Sequence, residues 1–525
     1  MTAAAPRAGD AARQRTNLPL LMVGLMLAML LSALNQTVLA TALPTMVGEL
    51  DGVDRMQWAV TAFILASTVA MPVYGRLGDA IGRKGLLVAA IVLFMAGSVI
   101  GALATGMDAM IVARVVQGLG GGGLMILSQA LLADVVPARD RGKYMGIMGS
   151  VFAVSSVAGP LLGGWFTEGP GWRWAFWVNL PLGAVAVLAA FVLVRVPARA
   201  RTRVHVDYLG MALLTAATTG AVLVGTWGGT TYAWNSTTLL ATAAATLIAA
   251  VLFVMVERRA AEPVLPPHLF RNRNFVLTTL GGLLTHVAMF GTLGYMPTYL
   301  QMATGASASV AGLLMVPMMG MLLVTSMAAG HLVARTGRYR TLTVVSTVAV
   351  AGALALLSAT TPATPVWVIS AELGLLGAGL GPGMQILVLV AQNAFPHALV
   401  GTVTAGHNYF RQVGASVGAA VVGSVFASRV VTLLGERLPG SQPGSLTPAM
   451  VADLPERARE AVVASYTEAL PPVLLLIAPL ALLAAVLLAF IVEQPLAPTL
   501  GNAAPGVDGR PRHGSEAPRH RHPSA

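Results

Sequence analysis

The stretch Gly75–Lys84 reads GRLGDAIGRK and lies between two long apolar segments. Its glycines permit a tight turn between two helices, and its clustered cations are typical of a turn on the cytoplasmic face of a membrane. The carboxylate of Asp79 is expected to cap the next helix and to pair with these cations. We therefore expect a structural or gating role for five residues: Gly75, Asp79, Gly82, Arg83 and Lys84.

A partial copy of this stretch, GHLVARTGR, occupies 330–338. It keeps two glycines and the final arginine but has Ala334 where the first copy has Asp79. A second pair of matching stretches, LPT at 43–45 and MPT at 296–298, supports the same register. The chain therefore consists of two homologous halves with an insertion between them.

The composition places both halves in a membrane. Hydrophobic residues make up 56% of the chain and charged residues 10%, and many apolar segments reach twenty residues, the length that spans a bilayer. We predict an all-α polytopic membrane protein with fourteen spans, near 18–43, 56–75, 85–105, 108–133, 142–166, 174–194, 207–227, 238–256, 275–300, 308–332, 341–359, 366–391, 403–428 and 471–492.

Matching the copied stretches makes spans 1–6 and 9–14 the two six-helix bundles, with spans 7 and 8 inserted. The predicted segments are a cytoplasmic tail at 1–17, the first bundle at 18–200, the inserted pair at 201–262, the second bundle at 263–494 and a disordered cytoplasmic tail at 495–525. A long outer loop at 429–470 is expected inside the second bundle, and its part at 455–470 is a candidate surface helix.

The distribution of Lys and Arg along the chain predicts its orientation in the membrane. Of the 32 Lys and Arg residues, most fall in the two tails and in the loops on one side of the predicted spans. Lys and Arg are enriched on the cytoplasmic side of membrane proteins, so both termini are predicted to be cytoplasmic in a plasma-membrane protein. The net charge of +11 follows from this topology and implies no nucleic-acid partner.

Several stretches resemble one known family. GRLGDAIGRK resembles the loop between helices two and three of the major facilitator superfamily. Four further stretches resemble motifs of its fourteen-helix drug:proton antiporters: LNQTVLATALP at 34–44, RVVQGLG at 114–120, AGPLLGG at 158–164 and WRWAFWVNLP at 172–181. The resemblance implies two six-helix bundles around a central substrate site. It also implies a carboxylate in helix 1, where this chain has Asn35.

Ionisable residues inside spans are candidates for function, because an unpaired charge there costs at least about 2.5–3.5 kcal/mol. Arg114 keeps its charge, whereas Glu372 and His286 can gain or lose a proton. With no carboxylate in span 1, we expect proton coupling to fall on Glu372, with His286 next and His407 less favoured. The predicted coupling and substrate residues are Asn35, Gln36, Arg114, Gln117, His286, Glu372 and Arg411.

Glycines in span 5 define a bare helical face. Small residues let another helix approach closely, and Pro160 removes a backbone donor. We expect this face to form a seam between the bundles that opens and closes. The residues concerned are Gly159, Pro160, Gly163 and Gly164.

The sequence therefore predicts a proton-coupled exporter of lipophilic drugs, antibiotics or self-made metabolites, working as a monomer in the lipid bilayer. A lipid exporter of the same fold is the main alternative. A membrane enzyme is disfavoured because no carboxylate cluster or His-rich loop suggests a metal site. The glycine-rich run at 118–123 lacks the G-K-[ST] ending of a nucleotide loop, and the chain has no cysteine. We expect neither catalytic residues, nor a metal, nor a cofactor.

Overall fold

The computed structural model describes residues 18–52, 55–193, 207–228, 232–306, 308–361, 364–438, 451 and 454–496. The expectations for the tail at 1–17 and for 497–525 lie outside the described residues. Within them the secondary structure is helical and contains no β-strand. The all-α fold class is confirmed.

Fourteen stretches among the described residues are long and apolar enough to cross a membrane, as predicted. A short helix and a longer one combine in the sixth span (α6, α7) and in the tenth (α11, α12). The α-helices are α1 (Leu18–Glu49), α2 (Met56–Ile81), α3 (Arg83–Ala102), α4 (Met107–Val135), α5 (Ala138–Glu168), α6 (Trp174–Trp177), α7 (Asn179–Leu193), α8 (Tyr208–Trp227), α9 (Thr237–Glu257), α10 (Arg273–Thr304), α11 (Ala308–Leu314), α12 (Val316–Thr336), α13 (Arg340–Ser358), α14 (Val366–Asn393), α15 (Val400–Arg437) and α16 (Glu456–Ala489).

The two halves, α1–α7 and α10–α16, are built alike around a glycine-rich helix. In the first half α4 packs between α2 and α3, and in the second α14 packs between α12 and α13. A Cβ on Gly122 of α4 would lie 2.3 Å from the Ser67 carbonyl oxygen of α2. A Cβ on Gly377 of α14 would lie 2.0 Å from the Met318 carbonyl oxygen of α12. Glycine is therefore required for the same close helix packing at corresponding positions of both halves.

The inserted helices lie beside the contact between the halves. Helix α8 packs against α9 and also against α2 and α15. The hydroxyl groups of Thr218 in α8 and Tyr409 in α15 share a hydrogen bond of 2.8 Å. Of the 21 residues of α9, only Leu239 and Glu257 are buried. Helix α8 thus touches both halves, whereas α9 presents an apolar surface suited to lipid.

The halves meet at the end of the molecule that carries the 75–84 loop, here called the basic side. Two seams form there, one between α2 and α15 and one between α5 and α12. A Cβ on Gly75 would lie 2.3 Å from the Ala405 Cβ, and one on Gly330 would lie 2.2 Å from the Gly142 carbonyl oxygen. The two halves are therefore in direct backbone contact on the basic side.

The α5–α12 seam is open on the opposite side. Helix α5 faces α12 through Gly142 and Gly146, and the 3.6-residue repeat continues this face to Pro160 and Gly164. Pro160 is exposed, and nothing lies within 4 Å of the Cβ position of Gly164. Because the face is covered at one end and uncovered at the other, this conformation is closed on the basic side and open on the opposite side.

The prediction of an outer loop at 429–470 is wrong at both ends of this range, because helices occupy them. Helix α15 continues to Arg437, and α16 begins at Glu456 and runs without interruption to Ala489. The part expected as a surface helix has buried residues, including Val462 and Leu470, that pack in the core of the second half. The polar residues of these helix ends suggested a loop, but they alternate with apolar residues that the neighbouring helices cover.

Candidate functional site

A cavity lies between the two halves near the middle of the spans, and both halves line it. Four of its side chains are methionines, and its polar side chains come mainly from α1, α10 and α15. The lining residues are Met29, Ser32, Ala33, Gln36, Ser67, Met71, Gly121, Met125, Val151, Phe152, His286, Phe290, Met384, Asn408, Arg411 and Gln412. Of the sequence-predicted residues, Gln36, His286 and Arg411 lie here.

The Arg411 guanidinium is the one charged group among the described residues that line the cavity. Its Nε–H and one Nη2–H both donate to Nε2 of His286, at 3.0 and 2.9 Å. Its Nη1 donates to the Met384 carbonyl oxygen and to Oδ1 of Asn408, each at 3.0 Å. All of these acceptors are neutral, so they satisfy donors without balancing the charge.

The partners of His286 define its tautomer. Nε2 accepts from Arg411, and Nδ1 lies 2.9 Å from the Gly282 carbonyl oxygen, to which it therefore donates. The ring is thus neutral, and it stacks near Phe290 with 6.2 Å between ring centroids. The neighbouring His407 is fully buried, and neither of its ring nitrogens has a hydrogen-bond partner among the described residues.

Asn408 connects this cluster to the first half. Its amide nitrogen donates to Oε1 of Gln129 in α4 at 2.9 Å, across the contact between the halves. Sequence reasoning missed both residues because neither is ionisable. The spacing of Asn408 and Arg411 is the available signal, since side chains three apart on a helix are neighbours.

The expected site residues Asn35, Arg114 and Gln117 do not line the cavity. Arg114 is 2% exposed, and its guanidinium donates to Oδ1 of Asn35, to Oε1 of Gln117 and to the Ala59 carbonyl oxygen. It also lies over the Phe63 ring, 4.4 Å from the centroid. These contacts join α1, α2 and α4 inside the first half, so their geometry is that of a packing cluster.

Neighbouring residues of α1 point in different directions. Asn35 is buried against Arg114, whereas Gln36 is exposed and lines the cavity. Consecutive helical residues differ by about 100° around the axis, so Gln36 can face the cavity while Asn35 faces Arg114. Nδ2 of Asn35 has no hydrogen-bond partner among the described residues.

Glu372 lies away from the cavity. It occupies the first turns of α14, near the opposite side, close to Thr360 and Tyr299. Its Oε2 is buried and accepts no hydrogen bond from the described residues. The structure therefore does not place the expected coupling carboxylate within direct reach of a ligand in the cavity.

The 75–84 loop forms a network that joins the halves. Asp79 accepts from Arg83 at 2.6 Å, as expected, but it caps α15 of the second half instead of the next helix, α3. Its carboxylate accepts from the backbone N–H groups of Gly401 and Thr402 at 3.0 and 2.7 Å. The cap differs from the expectation because α3 begins at once after Gly82, which leaves no room for Asp79 at its N-terminus.

Other residues extend this network along the basic side. Arg83 donates to Asp134 at 2.5 Å, and Nε2 of His397, just before α15, lies 2.8 Å from the same carboxylate oxygen. Gly82 has φ +102°, a conformation that favours glycine. Lys84 donates to the Phe191 carbonyl oxygen at 2.9 Å. His397 was not singled out from the sequence, since it lies between two predicted spans.

Gly159 and Gly163 do not form the seam between the halves. A Cβ on either would lie 2.0 Å from a threonine hydroxyl of α1, that of Thr37 or Thr41. Helices α1 and α5 belong to the same half, so the expectation of an inter-bundle seam is wrong for these two residues. Sequence alone shows that a helical face is bare but not which helix covers it.

On the opposite side a polar contact joins α1 to the start of the sixth span. The Glu49 carboxylate accepts from Nε1 of Trp172 at 2.8 Å and from Arg173 at 3.0 Å. The Trp172 hydrogen bond and then the Arg173 interaction lower the pKa of Glu49. No group of three or more potential metal ligands occurs among the described residues.

Two six-helix halves around a cavity that is closed on one side and open on the other define a membrane transporter. A sequence model of the Major Facilitator Superfamily matches residues 25–206 and 208–419, so the chain belongs to this superfamily. Its members are transporters, which sets aside the membrane-enzyme alternative.

The relatives of this chain support its membership of the superfamily, and a solved structure supports the fold. An uncharacterised MFS-type transporter of Mycobacterium tuberculosis is 39% identical over 93% of this chain and 72% of its own length. The Multidrug transporter protein MdtP of Bacillus subtilis is 35% identical over 80% of this chain and 77% of its own. The proton:xylose symporter XylE is similar in fold, with a TM-score of 0.60 and 14% identity over 91% of this chain and 96% of the XylE chain.

Proposed function

We propose that the chain is a secondary active exporter that expels lipophilic drugs, antibiotics or self-made metabolites across the plasma membrane in exchange for protons. The observation that carries this proposal is the cavity between the halves, which is largely apolar and contains Met29, Met71, Met125 and Met384. Methionine adapts its shape to varied apolar ligands. Multidrug relatives such as MdtP support the same conclusion.

The basic side is assigned to the cytoplasm. It carries the cations of both loop copies, and Lys and Arg are enriched on that side of membrane proteins. With this orientation both termini are cytoplasmic and the cavity opens to the outside, the conformation that releases an exported substrate. Both halves of the chain line the cavity, and we propose that the protein works as a monomer, as the sequence analysis predicts.

Glu372 is the proposed proton carrier. Its Oε2, which accepts no hydrogen bond from the described residues, lies near the outward-open side, and span 1 offers Asn35, which cannot titrate. Helix α14 carries both Glu372 and Met384, whose carbonyl oxygen holds Arg411. Protonation of Glu372 would thus act on the cavity through movement of α14.

The first test is proton movement in proteoliposomes. We expect Glu372→Gln to lose substrate-triggered pH change and uphill efflux but to keep downhill exchange, because the amide resembles the protonated acid. Glu436→Gln changes an exposed carboxylate of α15 and serves as the matched control. Unchanged proton movement in Glu372→Gln would contradict the assignment and make His286 the next candidate.

Substrate type is tested in cells. Expression in an efflux-deficient host should raise resistance to several lipophilic compounds, and resistance should disappear when the proton gradient is collapsed. Altered membrane lipids in a deletion strain, without any change in resistance, would favour the lipid exporter.

A further inference from the structure

The cavity has a charge character that the proposed function leaves unspecified. Its lining residues among the described part of the chain include one guanidinium, that of Arg411, and no carboxylate. A cationic ligand would meet an uncompensated positive charge there. An anionic ligand would supply the missing counter-charge in a region of low dielectric constant, where charge pairing is strong.

Arg411 has donors left for such a ligand. A guanidinium has five N–H groups, and Nη1 uses both of its own on Met384 and Asn408. The Nε–H and one Nη2–H share the single lone pair of Nε2 of His286. The second Nη2–H has no acceptor among the described residues.

The shared edge of the guanidinium is the one that fits a carboxylate. Nε–H and Nη2–H point in parallel, and an anion with two oxygens can accept one hydrogen bond from each. A neutral imidazole nitrogen is a weaker acceptor than a carboxylate, so a ligand anion can displace His286 from this edge. Arg411 stays anchored meanwhile, because its Nη1 contacts lie on the other edge.

The rest of the cavity suits the apolar body of the same ligand. Met29, Met71 and Met125 line the cavity from the first half, and Phe290 flanks His286. A molecule with an acidic group at one end and an apolar body would satisfy both walls at once.

We propose that the central cavity selects lipophilic weak acids in their ionised form, with the ligand anion held by the Nε/Nη2 edge of Arg411. This inference rests on the proposed function as an exporter and names the substrate class of that site. Lipophilic cations are excluded by the same charge, and neutral compounds bind through the apolar wall alone.

The test compares dansyl-undecanoic acid with its primary amide, which has the same shape without the charge. Dissociation constants are measured by dansyl fluorescence with the purified full-length protein in nanodiscs. We expect the wild type to bind the acid about tenfold or more tightly than the amide, in line with a charge-assisted bidentate contact. In Arg411→Gln the two affinities should become equal within about twofold.

Matched variants distinguish loss of the Arg411 contact from a general change in protein charge and from misfolding. Arg335→Gln removes the same charge from an exposed position on the basic side and should keep the preference for the acid. Binding of the amide by Arg411→Gln shows that this variant is folded. If Arg411→Gln binds neither compound, the pH dependence of binding to the wild type is the deciding measurement. The affinity of the wild type for the acid should fall as the pH drops below the pKa of the free acid, while its affinity for the amide stays constant.

Equal binding of acid and amide by the wild type, or an unchanged preference in Arg411→Gln, overturns the inference. Export is measured separately in inside-out vesicles with the acid, the amide and the cation ethidium. Export of ethidium or the amide but not the acid would leave the exporter function standing and overturn the anion selectivity. Export of none, with the acid preference intact in binding, would count against the exporter function instead.

Discussion

At the scale of single residues, buried charges act differently according to their partners. The Asp79 and Arg83 side chains are 3% and 1% exposed and pair with each other. Asp79 also holds the N-terminus of α15, where backbone N–H groups and the helix dipole favour a negative charge. Arg411 has no such counter-charge among the described residues. The pair closes the basic side, whereas the isolated cation is available to a ligand.

Replacing Asp79 should loosen the basic side. We expect Asp79→Asn to destabilise the conformation that is closed on the basic side by about 1–2 kcal/mol, the usual effect of losing a charged helix cap. The chain has no cysteine, so spin labels at Asp140→Cys and Arg335→Cys can report the distance between α5 and α12 without background. The distribution should gain a longer component in Asp79→Asn.

Asp108→Asn is the control for this experiment, because Asp108 pairs with Arg55 at an exposed position on the opposite side. It should leave the label distances on the basic side unchanged. Identical distributions for Asp79→Asn and the wild type would show that the cap on α15 does not hold the halves together.

At the scale of elements, the two ends of α5 differ in how closely neighbouring helices pack against them. Gly146 is pressed against α12, where an added Cβ would lie 2.6 Å from the Ser326 carbonyl oxygen. Gly164 belongs to the same face but meets nothing within 4 Å. If the halves rock about the cavity, the second position becomes the crowded one when the opposite side closes.

Two substitutions on this face should therefore have opposite effects. We expect Gly146→Leu to open the basic side and Gly164→Leu to trap the present conformation. Overlap of this kind costs about 1–3 kcal/mol, which corresponds to a population shift of roughly 5–150-fold. Label pairs on the basic side (Asp140→Cys with Arg335→Cys) and the opposite side (Glu168→Cys with Val316→Cys) would measure it. A shift in the same direction for both variants would refute the rocking arrangement.

At the scale of the whole molecule, the sequence predicted the fourteen spans and the two halves, because apolar length and a copied loop are one-dimensional signals. It also picked out Arg411 and His286, since ionisable residues in spans are rare. It could not predict that Gln36 faces the cavity while Asn35 does not. Nor could it predict that Gly159 meets α1. Both depend on how each helix is rotated against its neighbours, which local sequence does not determine.

With the proposed orientation and rocking of the halves, the unbalanced charge of Arg411 should make the substrate-free protein sensitive to voltage. While the cavity is open to the outside, the Arg411 charge experiences the electrical potential of the outside solution. When the outer side closes and the cytoplasmic side opens, the same charge experiences the potential of the cytoplasm. Each elementary charge moved through 100 mV is worth about 2.3 kcal/mol. An inside-negative membrane should therefore pull the substrate-free, proton-loaded transporter back to its cytoplasm-open state, and a bound anion should cancel this pull. In substrate-free membranes a voltage step should produce a transient charging current that Arg411→Gln abolishes and Arg335→Gln retains.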